Sequence, residues 1–212
     1  MTSRSQQKAR EADPRFQRSY QALIGAILAL VDQEPVGQIS IIRVVEAAGV
    51  TRPTFYQHFP DVAAAAQAAA LRRLDAAFVP LDARDAEASS TVAALRQRIE
   101  DRARPALQHL AAHRTFYLRV IEGAATAAFF GEVVRLVAAH LLPDTSELIA
   151  RRGNASRQDL TDMLAGGTMW LVVRWLRGEL DEDADGLAQR LAGISVALVQ
   201  PDLPAGGQGS GS

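Results

Sequence analysis

The stretch that most constrains the fold of this chain is residues 38–60, QISIIRVVEAAGVTRPTFYQHFP. Ser40 stands where its hydroxyl can cap a short helix that carries Ile41, Val44, Val45 and Ala48 on one face. Gly49 follows at once, in the position where helices commonly end in a left-handed residue. Thr51 offers a second cap, and Pro53 falls in the first turn of the next helix, where its missing N–H would have had no partner. Two short helices joined by a tight glycine turn make a helix-turn-helix, a motif whose second helix can enter the major groove of DNA.

The second helix has side chains suited to that groove. Phe55 and Phe59, four residues apart, can anchor one face in a small core. Arg52, Thr54, Tyr56, Gln57 and His58 are left on the other faces, and all can hydrogen-bond. Arginine reads guanine, glutamine reads adenine, and hydroxyls and imidazole hold phosphates. Tyr56 or His58 taken singly favours the reading that it covers a small helical core. Two caps, a turn glycine, an early proline and an aromatic pair within one stretch favour DNA, so the candidate DNA-binding residues are Ser40, Thr51, Arg52, Pro53, Thr54, Tyr56, Gln57 and His58.

Ile39-Ser40, Ala47-Ala48-Gly49-Val50-Thr51 and Thr54-Phe55-Tyr56-Gln57-His58-Phe59 resemble the DNA-binding signature of TetR-type transcriptional regulators. The resemblance covers between a quarter and a third of the chain. It implies an all-helical homodimer that binds a palindromic operator, usually as a repressor released by a small ligand. The family often places a lysine at the start of the fourth helix, where it contacts phosphate. Val62 stands there in this chain, which removes one charge-based anchor.

With 212 residues the chain can form one large core or two smaller ones, and 48% hydrophobic residues exclude a disordered polymer. No stretch is long and apolar enough to cross a membrane, and the N-terminus has no apolar signal core, so a cytoplasmic location is expected. The absence of cysteine excludes disulfides, thiol catalysis and thiolate metal sites. Net charge is −1, but residues 1–60 hold seven basic against five acidic residues and the rest sixteen against nineteen. A mildly basic head on an acidic body suits a nucleic-acid reader.

Along the chain, helical periodicity dominates and no alternating strand pattern appears. Residues 1–12, with Arg4, Lys8 and Arg10, read as a frayed tail or a minor-groove arm. Asp13-Pro14 starts a helix whose stripe is Phe16, Tyr20, Leu23, Ile24, Ile27, Leu28 and Val31. Pro60-Asp61 opens an alanine-rich helix over 62–78, able to lie close to its neighbours and to link head and body. Residues 80–90 read as a linker, and a helical pattern resumes at Thr91 with an interruption at Pro105. Further helices are expected over 113–121, 124–142, 157–177 (with Ser156 and Asp159 as a capping box) and 185–199. Gly153-Asn154 marks a turn, and residues 201–212 read as a flexible Gly/Ser-rich tail.

The expected architecture is therefore all-α, with a three-helix DNA-binding head over 13–60 and a helical ligand-binding and dimerisation body over 61–200. The last two helices are too apolar for a lone subunit, and Gly167, Leu171, Trp175, Leu187, Leu191, Ile194 and Leu198 are the candidate dimer contacts. His109, His113, Phe116, Tyr117, Arg119, Phe129, Phe130, Met169, Trp170 and Arg174 give the mixture of aromatics and a few polar groups usual in a small-molecule pocket. Each alone reads better as core, and it is the set, with the family resemblance, that suggests a cavity.

An enzyme is not expected. His109 and His113 are the only metal-like spacing, no carboxylate completes it, and neither a phosphate-cradling glycine loop nor a nucleophile elbow is present. No cofactor or metal is expected. The expected partners are a double-stranded DNA operator, a small-molecule effector and a second copy. The competing reading is an all-helical ligand- or protein-binding module with weakened or lost DNA binding, for which Val62 is the best argument.

Overall fold

The computed structural model describes residues 13–78, 92–141 and 156–199, in which there are nine α-helices and no strand. The N-terminal arm, the expected linker, the Gly153-Asn154 turn and the C-terminal tail lie outside the described residues. None of the described helices is long and apolar enough to cross a membrane. The described residues fall into two compact units, one of 13–76 with 113–132, the other of 77–78, 92–112, 133–141 and 156–199.

The first unit begins with α1 (Pro14–Gln33), capped by Asp13, whose carboxylate accepts the Arg15 N–H at 2.8 Å. Its stripe buries Leu23, Ile24, Ile27, Leu30 and Val31. A 3-10 turn (Val36–Gln38) leads to α2 (Ile41–Ala48) and α3 (Arg52–His58). Next comes α4 (Val62–Asp75), capped by Asp61 on the Ala64 N–H at 2.7 Å. Four alanines of α4 (65, 66, 69 and 70) are buried, which lets α1 and α6 (Arg114–Ala124) approach closely. The Gln67 amide donates to the Ala124 carbonyl. Both α4 and α6 pack on α1 and on the 3-10 turn.

A polar layer crosses this unit. Arg73 on α4 reaches both carboxylate oxygens of Asp32 (3.1 and 3.2 Å) and Nδ1 of His113 (2.9 Å). Its guanidinium also lies 4.6 Å from the centre of the Phe116 ring. Arg119 donates to the Val31 carbonyl at 2.8 Å. Burial pushes the Tyr117 phenol well above its ordinary value; Arg73 opposes that shift and Asp32 adds to it.

The second unit is built on α5 (Val92–Ala112) and α9 (Ala184–Val199), where Leu95 and Ile99 pack with Ala192 and Val196. The expected interruption at Pro105 does not occur: α5 runs through it as one helix. Proline removes one backbone bond there, and the buried Ala103, Ala106 and Leu107 around it hold both halves in register. Arg104 pairs with Asp185 at 3.1 Å. Of α7 (Ala127–Leu141), the last residues contribute His140, which stacks on Phe78 with centroids 4.5 Å apart.

Ser156 caps α8 (Arg157–Leu176), accepting the Asp159 N–H at 3.0 Å, as the capping-box spacing predicts. Left-handed Gly178 (φ 78°) ends it, with Glu179 N–H bonding Arg174 O at 3.0 Å. The Trp175 indole then donates to the Glu182 carbonyl at 2.7 Å, and Arg190 pairs with Glu182 at 2.7 Å, fixing the turn into α9.

Candidate nucleic-acid interface

The helix-turn-helix is closed by backbone hydrogen bonds that its sequence specifies. Ser40 accepts the Arg43 N–H at 3.3 Å, and α2 ends on Gly49 at φ 64°. Gly49 N–H bonds Glu46 O and Val50 N–H bonds Val45 O (3.2 and 3.0 Å), a pattern that requires the left-handed residue glycine supplies. Thr51 then caps α3 through the Thr54 N–H at 3.4 Å, its hydroxyl 2.9 Å from that of Thr54. Pro53 stands in the first turn.

Phe55 is wholly buried and Phe59 nearly so, their rings 6.0 Å apart, with Tyr20 of α1 5.6 Å from Phe59. That anchor leaves Arg52, Pro53, Tyr56 and Gln57 exposed on α3, with Tyr56 59% exposed. Ser40 and Thr51 are exposed at the two helix starts and Thr54 is half-buried beside its cap. His58 departs from this set. Its ring is half-buried 4.0 Å from the Phe16 ring, and Nε2 lies 2.8 Å from Ser19 Oγ. It is held inward by α1, so its first task is to fix the seat of α3. Nothing in the sequence marks Ser19 as its partner, 39 residues away.

One ion pair and one helix cap flank the motif. Arg43 of α2 pairs with Glu34 at the end of α1 at 2.6 Å. At the start of α4, Val62 is half-buried and the neighbouring Asp61 carboxylate occupies the helix cap.

No family model matches the chain, and no curated protein matches it in sequence. Solved structures do match in fold. The chain is similar to a TetR transcriptional regulator from Rhodococcus sp. RHA1, at 16% identity and a TM-score of 0.60 over 87% of this chain and 98% of that one. It is also similar to the fatty acid degradation regulator FadR from Bacillus halodurans, at 14% identity and a TM-score of 0.54 over 84% and 97%. The chain has the TetR-type fold.

Within that TetR-type fold the ten candidate ligand residues separate. His113, Phe116, Tyr117 and Arg119 lie together in the first unit, Phe116 and Tyr117 buried and His113 and Arg119 engaged with α4 and α1. Phe129 is buried and Phe130 half-buried at the start of α7, their rings 6.2 Å apart. His109 is half-buried on α5, in the second unit. Met169, Trp170 and Arg174 are on α8; Trp170 is 56% exposed, and Arg174 bonds Glu179 at 3.0 Å.

The candidate dimer contacts also divide. Leu187 is wholly buried, and Leu191 and Trp175 nearly so, inside the subunit. Gly167, Ile194 and Leu198 are exposed and Leu171 is half-buried. Met163, which the sequence reading did not assign to a site, is 67% exposed beside them. Between α8 and α9 an open groove of about 280 Å³ is lined by Met163, Leu164, Gly167, Leu171, Leu191 and Ile194, together with the hydroxyl residues Thr168 and Ser195.

Proposed function

We propose that this protein is a sequence-specific DNA-binding transcriptional regulator, acting as a homodimer on a palindromic operator and responsive to a small molecule as a repressor. The observation that carries the reading is α3 itself: a doubly anchored helix, capped by Thr51 and seated on Phe55, that presents Arg52, Tyr56 and Gln57 outward. A rigid helix with base-reading side chains on its free face is what major-groove recognition needs. A single seven-residue helix reads too few bases to select a site, so two copies spanning successive major grooves supply the rest.

The exposed apolar residues Met163, Trp170, Ile194 and Leu198 on α8 and α9 support the homodimer. Effector control follows from the packing of the first unit. The segment His113–Arg119 bears directly on α1 and α4 through Arg73 and Val31, so a ligand that rearranges it shifts the elements that seat α3. Such a ligand releases DNA only if it binds the DNA-free arrangement better than the bound one.

One observation favours the competing module with weakened DNA binding: the start of α4 presents the Asp61 carboxylate and Val62 where a cation would meet phosphate. Selection from a random duplex pool, read by sequencing and followed by gel shift, decides between them. Enrichment of a palindrome is expected. A pool that emerges without a common site overturns the regulator reading.

A further inference from the structure

The last residue of α3 lies against the first turns of α1. His58 Nε2 is 2.8 Å from Ser19 Oγ, and the His58 ring is 4.0 Å from that of Phe16. Ser19 Oγ is also 3.2 Å from the carbonyl of Arg15, one turn earlier on the same face. Arg18 is three residues from Arg15, so the two side chains are neighbours on the helix surface, and both are exposed. Two adjacent cations thus stand alongside the end of the candidate reading helix.

These cations are uncommitted within the unit. Arg43 pairs with Glu34 and Arg73 with Asp32, while Arg15 and Arg18 meet no carboxylate among the described residues. Asp13 is the only acid from 13 to 31, and its carboxylate accepts the Arg15 N–H in capping α1. Packing does not account for the pair either, because α1 buries a different side, through Leu23, Ile24 and Ile27. Exposed guanidinium groups left without an acid suit an anion outside the chain, and phosphate is the anion that surrounds a DNA-reading helix.

When a helix-turn-helix docks, the first residues of its second helix meet base edges, and the elements around it run against the sugar-phosphate backbone. Arg52 and Pro53 occupy the base-facing end of α3, and His58, at the other end, lies toward the groove rim. We propose that Arg15 and Arg18 hold backbone phosphates at that rim, a clamp that sets the angle at which α3 enters the groove. The hydrogen bond between His58 and Ser19 ties the clamp to the reading helix, so a grip on phosphate by α1 fixes where Arg52 and Gln57 meet the bases. The clamp rests on the DNA-reading assignment of α3 and adds a second element that touches the duplex.

The test uses Arg15→Gln and Arg18→Gln in the full chain, on a duplex selected from a random pool. Each should lower the slope of log affinity against log salt by about 0.9 for every phosphate contact it removes. Each should also weaken operator and scrambled duplexes alike and leave the selected sequence unchanged. Arg15→Lys and Arg18→Lys should keep the slope, since a lysine still holds phosphate as a point charge. Arg72→Gln, which removes an exposed cation from the last turn of α4, should bind with the wild-type slope and controls for net charge. Glutamine variants of Arg15 and Arg18 whose slopes match that of Arg72→Gln overturn the clamp, while the assignment of α3 stands. A loss confined to one base position overturns it too, by making the arginine a base contact. A wild-type chain that selects no duplex overturns the assignment of α3, and the clamp with it.

Discussion

The Nε2 of His58 lies 2.8 Å from Ser19 Oγ, joining the last residue of α3 to the second turn of α1. Ser19 Oγ is also 3.0 Å from the Phe16 carbonyl, to which its hydroxyl donates. The serine oxygen is then the acceptor for a His58 Nε2–H, while the imidazole packs on the Phe16 ring. His58→Ala should lower the stability of the head by about 1–3 kcal/mol, from the lost hydrogen bond and ring contact. Thermal melts and binding titrations on an operator and on scrambled duplexes test this. Binding should weaken on both alike, and a loss confined to one base position would return His58 to the reading face.

Arg52 is the opposite case, exposed at the start of α3. Arg52→Ala should weaken operator binding by about 1–3 kcal/mol and relax selectivity at one position, as loss of a bidentate base contact does. Binding measured on a set of single-base operator variants tests it. A uniform loss across all of them would make Arg52 a phosphate contact.

Val62→Lys should strengthen binding. The added cation stands beside the Asp61 carboxylate that caps α4. If this helix start faces the DNA backbone, one more phosphate contact steepens the slope of log affinity against log salt by about 0.9. Titrations at several salt concentrations give that slope. An unchanged slope would mean that α4 points elsewhere.

What was legible in the sequence is what acts over a few residues. Asp13, Ser40, Thr51, Asp61 and Ser156 each cap a helix through an amide two or three residues on, so their roles follow from spacing. The contacts that tie the helices together span much longer separations: Arg73 to Asp32 and His113, and Arg119 to Val31, lie 41, 40 and 88 residues apart. No local pattern encodes them. Pro105 misled because burial on both sides overrides a single lost bond. On α8 the apolar residues run almost all round the helix, so periodicity could not tell buried Trp175 from exposed Trp170. The same limit put Leu187 and Ile194 in one group, although one is wholly buried and the other 43% exposed.

The buried Tyr117 makes the first unit sensitive to alkali. Desolvation favours its neutral form, and Asp32 adds to that against the opposing pull of Arg73. The folded state therefore holds the phenolic proton to higher pH than the unfolded chain, in which tyrosine titrates near about 10. The stability linked to this proton is fully present below about pH 10 and is lost as pH rises toward the higher folded value, because only the unfolded chain gains by ionising. One such group can remove at most about 1.4 kcal/mol per pH unit. Tyr117→Phe deletes the proton and keeps the ring that meets Phe116 edge-on at 5.2 Å. Between pH 9 and 11 the melting temperature of the variant should fall less steeply than that of the wild type, whatever the offset between them at neutral pH. Parallel curves would show that Tyr117 ionises as readily in the fold as out of it.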